Sequence, residues 1–447
     1  MKRPAAQSRV PERHLTLVVE QTAGFDDYVE EAPASGSFSP HSDVAQGRSH
    51  DHRFISIHAH PVLNGKLRWR DFTSSGPFAN TAPSTFNDQY VVRLPDPMRK
   101  HGTPRPDWEW SVQPRPRGPL SATVISALKR QPGTLGVTPP VPQGDALTND
   151  DLQLALYLSY ELHYRSWAHP DWEWDPTLLK FRSELEHAFL LQLREEVGDL
   201  GPRRPTNVLE SFDAILSGGS GPSLSSYLCE AGSADHLREV CVHRSAYQLK
   251  EADPHTFAIP RLTGEAKAAM VEIQYDEYGS GQRNAMHSEL FATTMAELGL
   301  DHSYGAYVGH LPATTLATVN LISMFGLHRR WRGAAVGHLA VFEMTSVEPM
   351  ARYSRALARC GVGPEGRRFY DVHVEADAQH ALIARHRMIP GLLADEPYLA
   401  RDVLFGAAAV TKLEENFSRH VLDSWSRDRT SLLPWGVKPR GPVPRLA

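Results

Sequence analysis

Apolar residues recur at helical spacing through the second half of the chain, and this pattern predicts a mainly α protein. Candidate helices span 224–231, 234–250, 263–277, 284–298, 313–325, 331–348, 350–359, 367–387 and 397–427. The last carries Val410, Leu413, Phe417, Val421 and Trp425, a stripe three to four residues apart that marks a core-facing side. Two helices precede this run. One starts at Thr148-Asn149-Asp150-Asp151, where Thr148 or Asn149 can cap and the aspartates favour the first turn, and it extends to about Trp167. The next follows Asp175-Pro176, with proline at the first helical position. Its apolar residues, Leu178, Leu179, Leu185, Phe189, Leu190 and Leu193, fit a 3.6 period only loosely.

Punctuation divides the chain further. Residues 1–50 are polar and aperiodic, as a disordered tail would be. Residues 51–145 read as irregular. Phe54, Ile55 and Ile57 make a short strand-like run, and Asn64-Gly65 predicts a hairpin turn within 62–69. Prolines are dense over 96–142 and leave room for one short element at 120–129. A helical pair occupies 146–216, Ser217–Ser223 has the composition of a linker, and the main helical domain covers 224–430, followed by a tail over 431–447. Pro349 should kink the helix it follows. Gly361-Val-Gly-Pro-Glu-Gly366 should turn 350–359 back onto 367–387, bringing Glu343 toward the latter helix.

Charge and composition narrow the function. A net charge of −5 argues against neutralising nucleic-acid phosphates. Cys229, Cys241 and Cys360 form no CxxC pair, so neither a thiolate zinc site nor a disulfide framework is indicated, and a reducing cytoplasm fits. No run approaches the length of a membrane span, and the first residues lack a secretory apolar segment.

The chemistry concentrates in His373-x-x-x-Asp377-x-x-His380. At about 100° per residue these three side chains share one face of a helix. Two imidazoles and a carboxylate there suit iron, manganese or zinc. A reactive iron pair needs about two histidines and three or four carboxylates, and Glu343 and the polar run Glu272–Phe291, which holds His287, offer the remaining groups. Asp276 is in helical phase with His287, whereas Glu277 is about 80° out of phase. Gly279-Ser280-Gly281 lies between, and such a break frees the phasing, so spacing alone leaves Asp276 and Glu277 both open.

The stretch from about 240 to 425 resembles the bacterial iron-containing redox enzymes, within the heme-oxygenase-like diiron oxidases. The resemblance rests on Lys250-Glu251-Ala-Asp-Pro-His255, Val271–Gly281 with Met286-His287, Gly337–Ser346 and His373–His380. It implies a seven-helix bundle holding two Fe(II)/Fe(III) ions through Glu277, His287, Glu343, His373, Asp377 and His380. Glu251 matches a further carboxylate ligand found in some relatives. It also implies reduction of dioxygen, the co-substrate, through a peroxo-diiron(III) species. A small, nitrogen-containing metabolite would then undergo N-oxygenation, desaturation or oxidative C–C cleavage. An external electron donor and a homodimer are compatible with the resemblance. Tyr160–Arg165 and Trp172–Pro176 also resemble the amino-terminal part of some members.

Other polar groups invite plainer readings. His338 lies five residues before Glu343, half a turn away, as a structural or ligand-orienting residue would. Arg329, Arg330 and Arg332 read as a solvated helix end, with a grip on a substrate carboxylate as the sharper reading. His58 and His60 have strand spacing but no evident partner, and Glu184–His187 is a single Glu-x-x-His where a ferritin-like site needs two. Two other functions compete. A heme-binding or heme-degrading helical protein would use one axial histidine without clustered carboxylates. A non-catalytic metal-binding scaffold would leave the amino-terminal half to a partner.

Overall fold

A computed structural model describes residues 113–142, 144–201, 207–219 and 221–434. They belong to the compact unit Arg105–Ala447. The expected tail over 1–50, the hairpin and the His58/His60 pair lie outside the described residues.

The described residues form helices and no strand. In chain order these are α1 (Pro119–Leu128), α2 (Asp150–Glu161), α3 (Pro176–Val197), α4 (Val208–Gly218), α5 (Leu224–Glu230), α6 (Ala234–Gln248), α7 (Asp253–Thr256) and α8 (Gly264–Glu277). Then follow α9 (His287–Glu297), α10 (Ala313–Leu327), α11 (Arg332–Thr345), α12 (Val347–Arg359), α13 (Pro364–Ile383), α14 (Ile389–Asp395) and α15 (Ala400–Trp425).

The local causes are those of the sequence in several places. Asn149 caps α2, its Oδ1 accepting from the amides of Asp151 and Leu152, both at 3.0 Å. Asp175 caps α3 in the same way, with Pro176 at the first position. Pro349 acts more sharply than a kink. The helix breaks at Ser346, and the proline falls in the first turn of α12, where its missing N–H costs no bond. Beyond α13 the chain passes through one wide turn of π-helix, Ala384–Met388, into α14, and Pro390 explains the slip by denying that turn an ordinary donor. α4 was not expected, and its last turn runs into the Gly/Ser segment.

One hydrophobic core runs from Leu120 to Trp425 and includes the whole Val410–Trp425 stripe. α2 packs on α10, and α3 on α15, so helices on both sides of the Gly/Ser segment share that core. α11 is buried on nearly all sides, from Gly333 through Val341, and its tightest partner is α15. Two glycines allow that closeness. A Cβ on Gly337 would enter the Val403 carbonyl oxygen, and one on Gly406 would enter that of Ala334.

A buried ion pair fastens α2 to the turn beyond α6. Lys250 Nζ meets the Glu161 carboxylate, and neither side chain is exposed to solvent. Tyr304 donates to the other Glu161 oxygen at 2.7 Å, and the ammonium lies 4.1 Å from the centre of the Tyr164 ring. The next residue is Glu251.

Gly337→Ala or Gly406→Ala should push α11 and α15 apart and destabilise the protein by about 1–3 kcal/mol, the usual cost of overpacking. Thermal unfolding checks this, and a midpoint unchanged in both variants would contradict the backbone-to-backbone crossing.

Candidate metal centre

Five segments bring the candidate ligands together. Glu251 follows the end of α6, Glu277 ends α8, His287 begins α9, and Glu343 lies near the end of α11. His373, Asp377 and His380 project from one face of α13, as their spacing predicts. Their donor atoms form two groups. Glu251, Glu277, His287 and His373 make one, and Glu277, Glu343, Asp377 and His380 the other, with the atoms of each group all within 4.8 Å of one another. Glu277 belongs to both.

The turn after α8 produces this arrangement. Gly279, Ser280 and Gly281 have φ of 66°, 52° and 80°, three left-handed residues in succession. A Cβ on Gly279 would run into the Ala285–Met286 backbone, so glycine permits the close return that delivers His287 to Glu277. Non-glycine left-handed residues flank the site on this side and at Ala252, φ 73°, directly after Glu251. Such strain persists where surrounding packing over-determines it, and it clusters at functional sites.

Glu277 and His287 approach closely. His287 Nδ1 lies 2.8 Å from Glu277 Oε2. That nitrogen nevertheless makes no hydrogen bond, and the buried Glu251 Oε2 makes none either. Buried polar atoms without partners are rare and call for one. His373 donates from Nδ1 to the Phe369 carbonyl oxygen at 2.6 Å, which turns Nε2 toward Glu251 Oε1, 3.7 Å away. Ser346, at the α11–α12 break, donates to Asp377 Oδ2 at 2.5 Å. His380 places Nδ1 3.1 Å from Glu343 Oε2 and 3.5 Å from Asp377 Oδ1.

Electrostatics point the same way. Burial alone would lower the His373 and His380 pKa values, but the carboxylates around them prevail. Glu251, Asp377 and Glu277 raise His373 to about 10. Asp377, Glu343 and Glu277 raise His380 to about 11. Burial, with Asp377 and Glu277 nearby, pushes Glu343 up to about 8. Glu277 resists its burial because His287, His373 and His380 hold it at about 2. Without metal, protons therefore carry the positive charge that the cluster requires. Two divalent cations would balance the carboxylates Glu251, Glu277, Glu343 and Asp377, and the mixed imidazole–carboxylate donors suit iron. The residues fit two such ions.

The two acids left open by spacing behave differently. Glu277 is buried and shared, whereas the Asp276 side chain is 47% exposed and reaches only the outer nitrogen of His380. The break at Gly279–Gly281 places Glu277 inward although it is out of helical phase with His287. His338 is buried but pairs with His255, Nδ1 to Nε2 at 3.1 Å, rather than with a ligand carboxylate. Arg332 is held by Glu396, and Arg330 lies 4.5 Å from the Trp331 ring centre; neither lines the cavity at the metal groups. Beside the lone Glu-x-x-His, Glu186 binds Tyr160, Arg182 and His328, which is a structural network.

A cavity of about 460 Å³ opens onto the candidate ligands. Its lining also includes Arg244 and Glu414, paired through two bonds of 2.8 and 2.6 Å, together with Tyr353 and Tyr370. These residues escaped the sequence reading. On α6, α12, α13 and α15 they occupy helical positions that periodicity alone assigns to packing.

Residues 238–415, from α6 into α15, match the family model described as iron-containing redox enzyme. This part of the chain is similar to that family. Every candidate ligand lies inside the match. The chain is also similar to the nitrosourea synthase of Streptomyces achromogenes subsp. streptozoticus, 24% identical over 217 residues. That alignment covers 48% of this chain and 46% of the synthase, so the chain spans a little under half the length of this curated relative. Among the described residues no helix is long and apolar enough to cross a membrane.

His373→Ala and His380→Ala should each lower the iron content of the purified protein while leaving its helical circular dichroism largely intact. Unchanged iron in both variants would remove α13 from the site. Uptake must also displace protons from His373, His380 and Glu343, all held above neutral pH. Fe(II) affinity should therefore weaken as pH falls from 8 to 6, and uptake should acidify a weakly buffered solution. A pH-independent affinity would contradict these protonation states.

Proposed function

We propose that the chain is a non-heme diiron oxygenase that oxidises a small, nitrogen-containing metabolite. The observation that carries this reading is the double membership of Glu277. A carboxylate common to two ligand groups would let these residues hold two irons side by side. Glu251, His287 and His373 would complete the first iron site, and Glu343, Asp377 and His380 the second. When bound, the irons supply the capacity to reduce dioxygen. The remaining tasks belong to the protein.

Those tasks are visible in the side chains. The Phe369 carbonyl and the Ser346 hydroxyl hold His373 and Asp377 in fixed orientations. The side chains of Glu277, His287, Glu343, His373, Asp377 and His380 are buried, which would limit competition from water once metal is held there. The cavity beside them is large enough for a small metabolite, with Arg244 and Glu414 providing polar recognition away from the ligands. Within the oxidative chemistries open to such a site, the likeness to a nitrosourea synthase favours N-oxygenation. Insertion of one oxygen atom takes two electrons from the substrate, and dioxygen accepts four. Turnover therefore draws two more from an external donor. A heme reading gains no support here, since a porphyrin has no use for four clustered carboxylates.

Anaerobic titration with Fe(II), followed by dioxygen and read by optical absorption, tests the proposal. Saturation near two irons per chain, with a transient visible band after dioxygen, is expected. Saturation at one iron or none, without such a band, would return the chain to a scaffold role.

A further inference from the structure

We infer that Asp276 is a positioning residue for His380, fixing which ring nitrogen faces the metal. The inference rests on the dimetal reading above and concerns a residue outside the proposed ligand set.

The two nitrogens of His380 meet different surroundings. Nδ1 faces Glu343 Oε2 at 3.1 Å, Asp377 Oδ1 at 3.5 Å and Glu277 Oε1 at 3.9 Å. Nε2 faces Asp276 Oδ2 at 3.2 Å. A cation held by the three inner carboxylates must bind Nδ1, so the ring proton resides on Nε2 and is donated outward to Asp276. A carboxylate in that place raises the basicity of the ligating nitrogen and stops the ring from rotating.

His373 shows the complementary solution on the same helix. Its Nδ1 donates to a backbone carbonyl and its Nε2 turns inward. The two histidines thus present opposite nitrogens to the cluster, and each needs its own partner for the other. For His380 no backbone carbonyl serves, because the ring points across to α8. Asp276 reaches it from the last turn of that helix, one residue before the shared Glu277. The Ser280 hydroxyl, in the left-handed turn, donates to the second Asp276 oxygen at 3.3 Å. The same strained turn that brings in His287 therefore steadies the acceptor for His380. An ordinary surface ion pair would explain the distance between Asp276 and His380. It would not set the ring tautomer or influence metal affinity.

The test uses Co(II) titrated into the metal-free full chain, with visible absorption reporting coordination and a competing chelator reporting affinity. Asp276 is half exposed, so its variants should fold, and the circular dichroism of the metal-free proteins checks this. Asp276→Ala should weaken one of the two Co(II) sites by about ten- to a hundredfold and alter its absorption band, leaving the other site near wild type. Asp276→Asn keeps an oxygen that can accept from Nε2–H and should recover most of the loss. In the Zn(II)-loaded protein, nitrogen-15 NMR should find the His380 proton on Nε2. Two unchanged Co(II) affinities in Asp276→Ala, or a His380 proton on Nδ1, would overturn the assignment. A wild-type protein that fails to take up two Co(II) ions would overturn the dimetal reading itself, and this inference with it.

Discussion

Four carboxylates drawn out of water and gathered in two groups that share Glu277 are the constraint around which the structure is arranged. Buried anions so gathered repel strongly, and the repulsion persists until cations enter the cluster. The raised histidine pKa values and the partly protonated Glu343 show the protein meeting this demand with protons. A cluster that needs positive charge, and lies open to a cavity, is electrostatically prepared for metal.

The helices around it serve as rigid mounts. α11 brings Glu343 inward through the centre of the core, and its contact with α15 at two glycines leaves little freedom to shift. α13 supplies three donors from one face. The buried Lys250–Glu161 pair holds the turn carrying Glu251 against α2. Loss of one partner would strand the other charge in an apolar interior, typically at a cost of about 3–5 kcal/mol. The helices before the Gly/Ser segment thereby support the site from behind although they contribute no ligand.

Much of this was legible in the sequence because it obeys local rules. The α13 donors share a helical face, the Asn149 and Asp175 caps have the expected chemistry, and the α15 stripe is buried throughout. What stayed hidden depends on long-range geometry. That Glu277 rather than Asp276 turns into the cluster rests on three consecutive left-handed residues, whose conformation has no signature in apolar periodicity. α4 continues into a segment whose glycines and serines resemble a linker. The break at Ser346, which places a hydroxyl on Asp377, looked like a simple proline kink. Arg244 and Glu414 could not be told from surface or packing positions, since a cavity wall and a helix–helix contact have the same spacing.

The left-handed turn at Gly279–Gly281 also bears on how such a protein can diversify. It fixes the length of chain between the carboxylate common to both ligand groups and the histidine that opens the next helix. The return is so close that a Cβ on Gly279 would meet the Ala285–Met286 backbone, so one residue more or fewer would displace His287 from the cluster. The cavity wall on α6 and α15 is under no such restriction, because it contributes none of the candidate ligands. Descendants of this fold can therefore exchange what they recognise by point substitution along those helices, while the count of residues across the turn must be inherited unchanged.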